Sequence, residues 1–174
     1  LLGIDILAIR SLCFSHCHLD HVGGLVNLLG TIRKLEGRND DPSRSIAGRT
    51  IPVRIPTLRV WQGALDVLQG PSDALHLPFE HDVQTYTDGV ILDREGLKVT
   101  ALHNRHLGEP APGAPWQSFS FRIETAKKSI VSSGDIKHVS EVIPLIDQGC
   151  DLFLMETGHH QVDEVCTYLM ENDV

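Results

Sequence analysis

Aromatic side chains are scarce in this chain, at 5% of its 174 residues, and there are four cysteines with no CxxC pair among them. Cys13, Cys17, Cys150 and Cys166 are too sparse for a disulfide framework, so free thiols in a reducing compartment are expected and the cytoplasm is the default location. No stretch approaches the roughly 18 apolar residues of a membrane span, and no basic-then-apolar leader precedes the first motif. Membrane and secreted classes are therefore not expected. Basic residues do not dominate either, since the formal net charge is -8. What is present, 41% hydrophobic and 22% charged residues, is the balance of one domain with a sizeable core, not of a disordered or fibrous chain. The chain opens on Leu1 and stops at Val174 just after a helical pattern, so residues 1–174 are read as a single domain, incomplete at its ends.

The apolar run 9–14 is too short for a helix and leads straight into polar residues, which predicts a buried strand ending near Ser15. From Asp20 onward, Leu25, Leu28, Leu29, Ile32 and Leu35 recur at helical spacing as far as Gly37. Residues 38–50 are rich in Arg, Asp, Ser, Pro and Gly and predict a flexible surface loop. A helix is expected over 56–68, and edge or hairpin strands over 77–86 and 90–93. Leu97, Val99 and Ala101 alternate with polar residues, as do Phe119, Phe121 and Ile123, predicting two half-buried strands. Residues 129–131 predict a short strand, 139–146 a helix closed by Gly149 with Pro144 near its first turn, and 151–155 another buried strand. Val162, Val165, Cys166 and Leu169 stripe a last helix. Strands alternate with helices, and polar clusters fall at strand C-terminal ends, where open α/β sheets place their sites.

The densest chemical signal is His16-Cys17-His18-Leu19-Asp20-His21, three imidazoles and a carboxylate within six residues. Histidines two apart leave one side of an extended segment, and the turn after them brings Asp20 and His21 to a second position nearby. One segment can thus serve two metals. At the His and Asp frequencies of this chain, such a pattern arises by chance with a probability of roughly 0.003, so coincidence is a poor account. A dinuclear site needs further ligands, and His103 and Asp135 both come directly after predicted strands. A carboxylate such as Asp135 can bridge two cations, and Gly134 before it lets the backbone pass close by. His106 is the alternative to His103, or else a contact for substrate.

Residues 16–24, HCHLDHVGG, resemble the HxHxDHxGG signature of the metallo-β-lactamase superfamily, and a single histidine and a Gly-Asp come later in that family's order. The resemblance implies an α/β fold, the four-layer αββα sandwich. It also implies that His16, His18 and His103 hold a first metal, Asp20 and His21 a second, and that Asp135 bridges them. The first hairpin of that fold and its last histidine ligand, beyond a final helix, are not in the sequence. They are expected in flanking chain.

Two divalent cations lower the pKa of a bridging water from about 15.7 to near 7, so hydrolysis by a metal-bridging hydroxide is the expected reaction, with Asp20 counted among the catalytic groups. Cys17 occupies the variable position of the signature, where a catalytic thiol is not expected. Glu156 comes after the strand predicted at 151–155 and can orient His159 or His160 as proton donor to the leaving group. Its position is similar to the glutamate of the tRNase Z branch, which forms a proton relay with a histidine. Seven basic residues lie between 31 and 60 against three acids, a local excess that suits a phosphodiester or nucleic acid, although no aromatics interleave for base stacking. The reading is a dinuclear metal-dependent hydrolase, zinc before iron or manganese, with phosphodiesters favoured over lactones and thioesters. The alternatives are a mononuclear-iron oxidoreductase like the superfamily's persulfide dioxygenases, and a non-catalytic, metal-stabilised binding module. Expected partners are the small-molecule or phosphodiester substrate, with nucleic acid less supported, and a second copy of the chain. No membrane is expected.

Overall fold

The computed structural model describes residues 3–69 and 76–171; Leu1 and Val174, the ends of the expected domain, lie outside them. The chain divides into two compact units, Leu1–Thr85 and Tyr86–Val174. Each has its own sheet, and helices accompany both, so the molecule is mixed α/β.

In the first unit, strands β1 (Leu12–Cys13), β2 (Thr50–Arg54) and β3 (Glu80–Gln84) form a parallel sheet in the order β1-β2-β3. Of the run 9–14 only Leu12 and Cys13 form strand; Ile6–Ala8 before it form a 3-10 turn capped by Asp5. β2 lies in the middle, and Ile51, Pro52 and Val53 are all buried, the continuous apolar run of a strand covered on both faces. Helix α1 (Leu19–Val22) is a single turn, with α2 (Leu25–Glu36) and α3 (Leu58–Gln69) after it. Leu25, Leu29 and Ile32 of α2 meet Trp61 and Ala64 of α3 and Ile51 and Val53 of β2 in one core; of the expected stripe, Leu28 packs partly and Leu35 is exposed. The segment 38–50 is irregular, as a loop should be, yet it is tied down. Ile46 is fully buried, the Ile46 amide and the Ser45 hydroxyl donate to Glu36, and Arg44 pairs with Asp5 at 3.1 Å.

In the second unit, β4 (Gly89–Arg94), β5 (Leu97–His103), β6 (Phe119–Thr125), β7 (Ser129–Ser132) and β8 (Leu152–Leu154) lie in chain order. The first four are antiparallel, and β8 joins β7 in parallel. Glu95 and Gly96, both with positive φ, close the β4–β5 hairpin, the twist that tight two-residue turns demand. Val99, Ala101, Phe119 and Phe121 are buried, with Tyr86 packed on the two phenylalanines. The helix predicted over 139–146 is split into a 3-10 turn, Val139–Val142, and α4 (Ile143–Ile146), with Pro144 in its first turn as expected. Two burial expectations are corrected. Among the described residues β8 is the last strand of the sheet, and Leu152 and Leu154 are about half exposed, while Phe153 packs inward. In helix α5 (Val162–Glu171) the stripe narrows to Val165 and a partly packed Leu169, while Val162 and Cys166 are exposed. Among the described residues no helix is long and apolar enough to cross a membrane.

Candidate metal centre

Parallel pairing in the first unit ends where the Phe14 amide donates to the Arg54 carbonyl at 2.9 Å, and the chemistry begins two residues later. His16 is fully buried, with Nδ1 3.2 Å from the Ser15 hydroxyl. The His18 ring stands edge-on to His16 at 4.8 Å between centroids, and His21 folds back to 4.0 Å. His21 Nε2 is 3.6 Å from Asp20 Oδ2. Between the two leading histidines, Cys17 turns the other way and packs against the core. Burial raises its thiol pKa against the pull of the Thr57 amide, and burial pushes Cys13 up to about 11, so both sulfurs stay protonated at neutral pH, in keeping with the variable position that Cys17 occupies.

The turn bearing Asp20 and His21 depends on Gly23. Its amide donates to the Leu19 carbonyl at 2.6 Å, and a Cβ there would lie 2.5 Å from that backbone oxygen. Gly23→Ala is therefore expected to displace the turn, lowering stability by about 1–3 kcal/mol and weakening metal binding. Thermal unfolding and a zinc titration of the variant check this.

In the second unit, β5 ends at His103, and Asn104, 2% exposed, sets the course of the chain as far as His106. Its amide donates to the Ser118 carbonyl, its Nδ2 to the Ser120 hydroxyl, and its Oδ1 accepts from the His106 amide. This Asx turn swings His106 to Asp135, where Nε2 is 3.6 Å from Oδ2. His103 goes elsewhere. Asp88 accepts both its amide and its Nδ1 at 2.6 Å, and Trp116 stacks on its ring at 4.0 Å. Of the two candidate histidines, His106 is thus the one that meets the carboxylate, while His103 pairs with Asp88.

Asp135 comes after β7 on a left-handed Gly134 with φ of 56°, a conformation that costs other residues about 1–2 kcal/mol. The Ser133 hydroxyl donates to the Gly134 carbonyl and accepts from the Glu156 amide, tying the Asp135 turn to the segment after β8. Glu156 Oε1 is 3.0 Å from His159 Nδ1 and 3.7 Å from His160 Nε2. Burial pushes the Glu156 carboxyl up, but the His159 amide, its ring and the Gly158 amide outweigh it, so the group sits below its ordinary pKa and stays ionised. His159 Nδ1 reaches Asp135 at 3.9 Å, and the two imidazoles of His106 and His159 meet edge-on at 5.1 Å. His160 instead donates to the Ile136 carbonyl, which leaves His159 as the histidine beside the carboxylate.

The donor set fits a metal. Two ligands of one tetrahedral zinc ion, each about 2.0–2.2 Å from it, stand roughly 3.4 Å apart. The 3.6 Å separations of His106 from Asp135 and of His21 from Asp20 are of that size. Imidazoles and carboxylates without thiolate suit zinc, manganese and iron. The basic excess at 31–60 is partly consumed within the unit: Arg44 pairs with Asp5, Arg54 with Asp82, and Arg49 donates to the Leu7 carbonyl. Asp88, Asn104, Ser133 and Glu141 were not singled out by the sequence, because each acts by accepting or giving hydrogen bonds that only the folded loops bring into reach.

The fold and the His/Asp signature define one class, and the chain belongs to it: the family described as beta-lactamase superfamily domain matches residues 5–171, and this is the metallo-β-lactamase superfamily. Within it the chain is 29% identical over 136 residues to ribonuclease Z of Mycolicibacterium paratuberculosis, an overlap of 76% of this chain and 46% of the relative. Ribonuclease Z of Mycobacterium avium matches with the same identity and coverage. The chain thus spans about half the length of the curated relatives it matches. Among solved structures, human tRNase Z, short form, superposes on 97% of this chain and 70% of its own with a TM-score of 0.65 at 19% identity. Unliganded yeast PDE1 superposes on 86% of this chain and 44% of its own with a TM-score of 0.56 at 20% identity. At these identities the structural likeness establishes the fold.

Proposed function

We propose that the protein is a metal-dependent hydrolase of phosphodiesters, RNA first, to which this chain contributes most of a dinuclear centre. His16, His18, Asp20 and His21 of the first unit, and His106 and Asp135 of the second, would be the metal ligands. Two divalent cations, zinc in this reading, acidify water from a pKa of about 15.7 toward about 7 and so supply a nucleophile at neutral pH. Glu156, kept ionised, orients His159 through Nδ1, so the imidazole is poised to hold a proton for the departing oxygen. The observation that carries the reading is the meeting of His106, His159 and Asp135 at the end of β7, where a ligand pair and a carboxylate-held histidine lie side by side. The preference for RNA rests on the ribonuclease Z relatives, which share 29% of aligned residues. Elemental analysis of the full chain together with cleavage of an RNA oligonucleotide tests it. Two zinc ions per chain and chelator-sensitive cleavage are expected; a single iron with sulfur-oxygenating activity would replace this reading with the persulfide dioxygenase type.

A further inference from the structure

One buried carboxylate joins the two loops that present His106 and Asp135. The Glu141 side chain is 6% exposed, and it spends its two oxygens on different segments. Oε1 accepts from the Arg105 amide at 3.0 Å, immediately before His106. Oε2 accepts from the amides of Lys137 and His138 at 2.9 and 3.2 Å, just after Asp135. A capping box on the 3-10 turn accounts for the His138 contact alone. It does not account for Oε1 reaching a loop 36 residues away in the chain. Hydrogen bonds to a charged acceptor are short and roughly twice as strong as neutral ones, so three amides on one carboxylate make a stiff link.

We propose that Glu141 is a positioning residue that sets the spacing of His106 and Asp135 and thereby metal affinity. The inference rests on the metal-hydrolase reading above. The physical reason is geometric. Both donors can ligate one ion only while their separation stays near the present 3.6 Å, and a drift of about 1 Å takes one of them out of bonding range. Asn104 holds the His106 amide, and Ser133 and His160 tie the Asp135 turn to the segment after β8; Glu141 links the two loops to each other.

Glu141→Gln separates this role from simple capping. The amide oxygen can keep the Lys137 and His138 donors, but the NH2 group then faces the Arg105 amide, donor against donor. Zinc is titrated into the metal-free full chain well below its unfolding temperature, with the unfolding temperature of the metal-free form measured in parallel. The expected result is a zinc Kd raised about tenfold or more, the scale at which groups that orient ligands act, with little change in metal-free unfolding. Arg105→Ala keeps the backbone donor and loses only the guanidinium 3.7 Å from Oε1, so it should weaken zinc binding less than Glu141→Gln. Arg105→Pro, which deletes that donor and leaves the cap intact, should weaken zinc as Glu141→Gln does, and it serves if the latter does not fold. Unchanged zinc affinity in Glu141→Gln, or an equal loss in Arg105→Ala, overturns the inference while leaving the hydrolase reading intact. A parent chain that binds no zinc overturns the hydrolase reading itself.

Discussion

Asp135→Ala in the full chain is expected to lower bound metal to one ion or none and to reduce phosphodiester turnover at least about a hundredfold, while Cys17→Ser leaves both nearly unchanged. Groups that merely orient ligands cost about 10- to 100-fold when removed, so a bridging ligand should cost no less. The Asp135 side chain is only 11% exposed and faces His106 and His159, so its loss removes negative charge where two cations would otherwise repel each other. Cys17 lies between two histidines in sequence yet packs into the core, where serine costs a little burial and no ligand. Metal content by elemental analysis and turnover of a generic phosphodiester are the readouts. If Asp135→Ala retains two ions, or Cys17→Ser is the variant that loses metal, the ligand assignment is wrong.

The second large effect distinguishes two histidines three residues apart. His106→Ala is expected to lose metal and activity, whereas His103→Ala keeps its metal and shows only a lower unfolding temperature. His103 is held by Asp88 through both amide and ring and covered by Trp116, an arrangement that braces the β4 and β5 ends. Truncating it leaves Asp88 with its amide contact and removes the stack. His106 carries the Nε2 that faces Asp135. The reverse outcome, metal lost in His103→Ala and kept in His106→Ala, would mean that the loop 103–106 rearranges around the ion.

Much of the chain was legible before folding. Period-3.6 spacing marked one helix from Asp20 to near Gly37, which Gly23 and Gly24 break into α1 and α2, and alternation marked β5 and β6, because these patterns record which side of a local element faces a core. The alternation misled at Ser120, which reads as an outward polar residue but is fully buried, where its hydroxyl donates to the Ser133 carbonyl and accepts from Asn104. The strand at 151–155 reads as buried because Leu152, Phe153 and Leu154 are all apolar, and its place in the sheet depends on which strands pair, a matter outside any local window.

For the site, the sequence already pointed to metal chemistry: His16, His18, Asp20 and His21 lie within six residues, and Asp135 stands behind a glycine that lets the backbone pass close by. These are short-range facts, set by backbone geometry over a few residues. Folding alone placed His106 and His159 beside Asp135, turned His103 to Asp88 and His160 to the Ile136 carbonyl, and brought Glu141 to the Arg105 amide. Each of those choices is made by a partner 15 to 36 residues away, Asp88 for His103, Ile136 for His160 and Glu141 for Arg105. A hydrogen bond across such a span leaves no periodic trace in the chain, because its energy comes from desolvated donors and acceptors that meet only after the strands have paired.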